Sequence, residues 1–265
     1  MIEILQQILI GAIQGITEWL PISSKTVLLF IYINFFQETN IELLLKNILF
    51  LHLGTFFAAL IYFRKDVLHL IKNLFNYPHA TPNTKKVLNF LIISTLISGI
   101  LGLLFLQLIE NLDLNLTAKL ITISIGVLLL FTAIIQLKIK KRGQKKFEGL
   151  KITDGVILGF AQGLAAIPGI SRSGITISSL LLREFDDNIA LRLSFLMSLP
   201  IVLAGNIILN LDKFSLTNLS IYALLSSFIL GLLTIHALIK LSRKINFGWF
   251  VLIFALLMIL SSIIL

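Results

Sequence analysis

Long apolar stretches separated by short charged loops organise the chain from end to end. A bilayer-crossing helix needs about 20 predominantly apolar residues. Runs of that kind fall at 43–63, 88–109, 118–137, 189–209, 219–239 and 247–265, which predicts six crossings. Two further apolar regions, 2–36 and 152–182, are each interrupted near the middle by proline and serine, leaving pieces too short to span alone. These predict re-entrant helical hairpins, because irregular backbone at membrane depth is tolerated only where protein or a water-filled cavity covers it. The expected fold class is therefore an all-α polytopic membrane protein with six transmembrane helices plus two re-entrant helical hairpins.

The charges between the runs orient them. Arg64, Lys65, Lys72, Lys85 and Lys86 mark one loop as cytoplasmic, the cluster Lys138 to Lys146 a second, and Lys240, Arg243 and Lys244 a third. The loops holding Glu38 and Glu42, Glu110 and Asp113, and Asp212 carry little positive charge and fall outside. Three crossings separate the hairpins, so they enter from opposite faces. The chain then divides into a first repeat, 1–137, a basic cytoplasmic linker, 138–151, and a second repeat of inverted topology, 152–265. Gly11-Ala-Ile-Gln14-Gly15 recurs as Gly159-Phe-Ala-Gln162-Gly163, each followed by proline and then serine. Gly155, Gly159 and Gly163 form a small-residue stripe that permits close helix approach. Inverted repeats place their shared site near the midplane, where broken half-helices meet.

Composition narrows the chemistry. The chain is 57% hydrophobic and 13% charged, far from the balance of a soluble domain. With no cysteine, disulfides and thiolate metal sites are excluded, and the four histidines are too scattered for a zinc site. The net charge of +9 sits in short loops, where it reports orientation and attraction to anionic lipid, so nucleic acid is not an expected partner. The first apolar run contains Gln14 and Glu18 and lacks a basic lead and a cleavage site, so it reads as mature chain and not as a signal peptide.

The stretch Pro168-Gly169-Ile170-Ser171-Arg172-Ser173-Gly174-Ile175-Thr176 concentrates the candidate chemistry. A Pro-Gly break ends one half-helix, and Ser171 is suited to cap the next. Helix N-termini beside an arginine and hydroxyls make an anion site, and the guanidinium fork suits phosphate oxygens. The plain alternatives are an arginine capping helix carbonyls and hydroxyls that satisfy backbone. In the first hairpin Gln14 and Glu18 share a helix face at i and i+4, Pro21 stops the helix, and Ser23 or Ser24 caps the next. Glu18 suits a general base, a divalent-cation ligand or an ion-pair partner of Arg172. A serine nucleophile needs an adjacent base, and Ser24 follows Glu18 by six residues across the turn. His52 either donates to a carbonyl or lines the site.

Gln14-Gly15-Ile16-Thr17-Glu18-Trp19-Leu20-Pro21-Ile22-Ser23-Ser24 and the 168–176 stretch resemble the two motifs of the undecaprenyl-diphosphatases, also called bacitracin-resistance proteins. Leu51-His52-Leu53-Gly54-Thr55, Tyr62-Phe63-Arg64-Lys65-Asp66 and Ser194-Phe195-Leu196 extend the likeness along the chain. The resemblance implies a bacterial inner-membrane enzyme, its site opening to the periplasmic side, that removes the terminal phosphate of undecaprenyl diphosphate. It also implies dependence on a divalent cation, Mg2+ or Ca2+, contact with membrane lipid, and an option of homodimerisation. Ser24 is then the expected nucleophile, with Glu18 as base or cation ligand. Arg172, with Gln14, Ser23, Lys25, Ser171, Ser173 and Thr176, would bind the diphosphate. Two departures stand out. Lys25-Thr26-Val27 replaces the usual Thr-Gly-His, removing an imidazole at 27, and Gln14 stands where many members carry glutamate. The missing histidine leaves room for a second expectation, a non-enzymatic flippase for polyprenyl phosphate, and a weaker third, a carrier of an unrelated anion.

Overall fold

The computed structural model describes residues 2–20, 22–37, 41–111, 118–138, 143–167, 169–210, 218–241 and 247–264. In chain order the helices are α1 (Ile2–Thr17), α2 (Ser24–Phe35), α3 (Ile41–Tyr62), α4 (Arg64–Phe75), α5 (Pro82–Asn111), α6 (Ala118–Leu137), α7 (Ile152–Leu164), α8 (Arg172–Leu182), α9 (Asp187–Asn210), α10 (Asn218–Leu241) and α11 (Phe247–Ile264). Short 3-10 turns lie at Tyr77–His79 and Phe147–Gly149. The fold is all-α and polytopic. Among the described residues, four stretches are long and apolar enough to cross a membrane: Leu43–Tyr62, Pro82–Leu108, Asp187–Leu209 and Ser220–Ala237. α6 and α11 contribute shorter apolar stretches, Thr122–Leu137 and Val251–Leu260.

The two broken regions form pairs of half-helices, α1 with α2 and α7 with α8, of 16, 12, 13 and 11 residues. At 1.5 Å per residue none exceeds about 24 Å, short of a hydrocarbon core of about 30 Å. Pro21 and Pro168 lie outside the described residues, as do the acidic loops at 38–40, 112–117 and 211–217. The return points use unusual backbone: Ser23 (φ 62°) and Gly169 (φ 100°) are both left-handed. A β-carbon at 169 would also stand 2.9 Å from Leu128, so glycine is required twice over.

Glycines bring the half-helices against long helices. A β-carbon on Gly11 of α1 would stand 2.0 Å from the carbonyl oxygen of Ala223 on α10. On Gly159 of α7 it would stand 2.7 Å from Ile97 on α5. Thus α1 packs on α10, α7 on α5, α3 on α9 and α6 on α11. Apolar clusters fill the seams, one around Ile10, Leu28, Leu129 and Val251, another around Trp19, Phe195 and Ile235, a third around Phe90, Leu158 and Phe185. The Trp19 ring stands edge-on to Phe195 at 5.0 Å and donates to the Gly231 carbonyl at 2.9 Å.

Two segments expected as loops are ordered. Residues 64–75 form α4, and α5 begins at Pro82, six residues before the expected crossing, because proline suits a first helical turn and Thr81 caps Thr84. The described part of the linker docks on the α8–α9 turn: Lys145 N–H donates to the Glu184 carbonyl at 2.9 Å, and the Lys145 carbonyl accepts from Asp186 N–H at 3.0 Å.

Candidate active site

Each hairpin tip sets a helix start against a chemically active side chain. In the first, the helical hydrogen bonding of α1 continues one step beyond Thr17, with Glu18 N–H donating to Gln14 at 3.0 Å. That carries the Glu18 carboxylate to the end of the half-helix, where it is buried. Ser23 caps α2 and Ser24 opens it. In the second tip Ser171 caps α8 and accepts from Gly174 N–H at 3.1 Å, so Arg172 is the first helical residue. The first N–H groups of both helices have no helical partner and carry the positive end of the helix dipole.

The tips are clasped together by three contacts: Arg172 pairs with Glu18 Oε1, Ser173 Oγ donates to the Leu20 carbonyl at 2.9 Å, and Lys25 Nζ donates to the Ala165 carbonyl. The other carboxylate oxygen, Oε2, accepts from Gln14 Nε2 at 2.9 Å and from Ser24 Oγ at 2.6 Å, and lies 3.1 Å from His52 Nε2. His52 Nδ1 meets the Ile48 carbonyl at 2.6 Å. Both imidazole nitrogens therefore face oxygen acceptors. Arg172 is held from behind as well, with Nη1 donating to Ser194 at 3.4 Å.

This cluster forms the polar end of a cavity of about 480 Å³ lined by Glu18, Ser23, Ser24, Lys25, His52, Ser171, Arg172 and Ser173. The rest of its wall is largely apolar, with Leu45, Leu49, Leu103, Leu106, Ile208 and Leu209 from α3, α5 and α9. Two expected substrate contacts stand behind that wall. Gln14 is fully buried and bonds to Glu18, while the Thr176 hydroxyl bonds to the Arg172 carbonyl at 2.8 Å and lies 2.7 Å from Ser194 Oγ. Both hold a site residue in place from outside the cavity. Val27 packs against the apolar cluster around Ile10 and Leu129 and does not line the cavity. The imidazole at the site comes from α3.

Sequence reading missed Ser194, Ser98 and Gln162. Gln162 donates to Ser98 Oγ at 2.9 Å in the cavity wall. The recurrence of the Gly-x-x-Gln-Gly motif is the signal available for Gln162 and the Ser194-Phe195-Leu196 likeness the one for Ser194; Ser98, a single serine within an apolar helix, has none. For a protein-held divalent cation the donor set is a poor fit. Glu18 is the only carboxylate among the described lining residues, its two oxygens already accept from or pair with four side chains, and Arg172 and Lys25 stand beside it. Among the described residues no group of three His, Cys, Asp or Glu side chains is arranged to hold a metal.

Comparison with known proteins is consistent along nearly the whole chain. The family model described as bacitracin resistance protein BacA matches residues 7–260. A protein named undecaprenyl-diphosphatase from Methanococcoides burtonii is 39% identical over 255 residues, covering 94% of this chain and 95% of its own. Proteins of the same name from Methanothrix thermoacetophila and Haloarcula marismortui are 35% and 34% identical, with 93% or more of each chain covered.

Proposed function

Because this chain belongs to the bacitracin resistance protein BacA family, we propose that it is a membrane phosphatase that hydrolyses undecaprenyl diphosphate to undecaprenyl phosphate and inorganic phosphate. That reaction returns a lipid carrier to cell-wall synthesis and underlies bacitracin resistance. The observation that carries the reading is the 2.6 Å hydrogen bond from Ser24 Oγ to Glu18 Oε2, next to Arg172 and at the polar end of an apolar cavity. Ser24 Oγ attacks the terminal phosphorus while its proton passes to Glu18. The bond to the bridging oxygen breaks and undecaprenyl phosphate leaves. Water then cleaves the phosphoserine, releasing inorganic phosphate and restoring the hydroxyl. Arg172, Lys25 and the N–H groups opening α2 and α8 stabilise charge on the equatorial phosphoryl oxygens. A divalent cation would arrive with the diphosphate as its counter-ion, as Mg2+ commonly does with phosphates.

The same reading assigns six crossings and two re-entrant hairpins arranged as inverted repeats. The exchange of partners supports it: α1 of the first half packs on α10 of the second, and α7 of the second on α5 of the first. The apolar cavity wall lies toward the start of α3 and the ends of α5 and α9, which are the ends the positive-inside rule places outside. The isoprenyl chain would lie along this wall, and the site would open to the outer face of a cytoplasmic membrane. An inverted repeat and an anion site fit a flippase as well as an enzyme, and only the absent histidine at 27 tips toward the flippase; with Val27 off the cavity and His52 against Glu18, that residue no longer favours it.

Arg172→Ala tests the assignment. Purified in detergent with its helical content unchanged, the variant should release phosphate at least about 1,000-fold more slowly than the native chain, the loss typical of one arginine at a transferring phosphoryl group. Near-native turnover would remove the site from consideration.

A further inference from the structure

α4 does not contribute to the cavity, yet its two faces are sharply different. One face is fixed to the bundle. Leu70 packs against two of the apolar clusters and Val67 against one, Asp66 is held by both Nε and Nη2 of Arg192 on α9, and His69 Nε2 lies 3.1 Å from Thr84 Oγ1 on α5. The opposite stripe carries Leu68, Ile71 and Phe75 at i, i+3 and i+7, exposed to 66%, 47% and 88%. Arg64, Lys65 and Lys72 lie exposed alongside it. Since Arg192 compensates Asp66, the charge α4 presents outward is positive.

The position of the helix says what covers that stripe. α4 starts two residues after the end of the Leu43–Tyr62 span and leads, through Tyr77–His79, into the span that begins at Pro82. It is therefore tied at both ends to the membrane surface, on the side where Lys86, Lys145 and Lys146 also lie exposed. An amphipathic helix with a basic margin at that height beds its apolar face at the boundary of headgroups and acyl chains and attracts anionic lipid.

We infer that α4 is an interfacial anchor that binds the anionic glycerophospholipid headgroups of the leaflet on the basic side of the protein. The inference stands on the membrane placement of the chain and is independent of its catalytic activity. The rigid Asp66–Arg192 connection fixes the aim of the stripe, and Lys65 and Lys72 select the headgroup.

The test uses Phe75→Trp in a Trp249→Phe background, since Trp249 is itself exposed. The full chain is reconstituted in vesicles of phosphatidylcholine and phosphatidylglycerol, one or the other brominated at shallow acyl positions. The reporter at 75 should be quenched by lipid, and per molecule about two- to fivefold more by brominated phosphatidylglycerol. Adding Lys65→Gln and Lys72→Gln should retain quenching by lipid and abolish the preference. Leu68→Trp, on the same stripe, should read identically, which separates the result from any local disturbance at 75. Quenching by aqueous iodide and by neither lipid, or equal quenching by both lipids in the parent, would overturn the inference.

Discussion

At the residue scale the proposed chemistry centres on a single carboxylate. Glu18 accepts from Ser24 and Gln14, faces His52 and pairs with Arg172, so in the proposed mechanism it would receive the serine proton and hold the arginine until a more highly charged anion competes for the guanidinium. Glu18→Gln keeps the shape and removes the base, and should lower the rate of phosphate release by about 100- to 10,000-fold without loss of fold. His52→Ala should lower turnover by about 100-fold. Val27→His, by contrast, should give no gain in turnover and should lower the melting temperature in detergent, because position 27 packs against the apolar cluster. A rise in turnover with that variant would show that position 27 reaches the reacting groups.

At the scale of elements, what was legible in the sequence were the interruptions. Proline, glycine and serine within apolar runs announced the hairpins, and Glu18, Ser24 and Arg172 were legible because a charge or a capping hydroxyl has little reason to occupy such a break. The contact between His52 and Glu18 was not legible, because it depends on how α3 lies against the tip of α1 and on no local spacing. α4 was hidden for a different reason: its apolar stripe is short and mixed with basic residues, so the segment reads as a charged loop until packing gives Leu70 and Val67 a partner. The glycine contacts give this scale its own prediction. Gly159→Val places side-chain atoms where Ile97 already lies within 2.7 Å and should cost about 1–3 kcal/mol or more of stability. Gly205→Ala meets Leu49 at an ordinary 3.6 Å and should melt within a few degrees of the native chain. Melting of both variants in one detergent checks the contrast.

At the scale of the whole molecule, two broken hairpins, which in the proposed topology enter from opposite faces, bring two helix N-termini, an arginine and a carboxylate together, and long helices close an apolar wall around them. This arrangement suits a substrate whose diphosphate must leave water while its hydrocarbon stays in lipid. The most direct measurement is phosphate release from undecaprenyl diphosphate by the purified native chain and by Ser24→Ala, with folding of both confirmed. The account predicts steady release by the native chain and a fall of at least about 1,000-fold in the variant, since the nucleophile is lost. Release by Ser24→Ala within tenfold of the native rate, or none by the native chain, would contradict it.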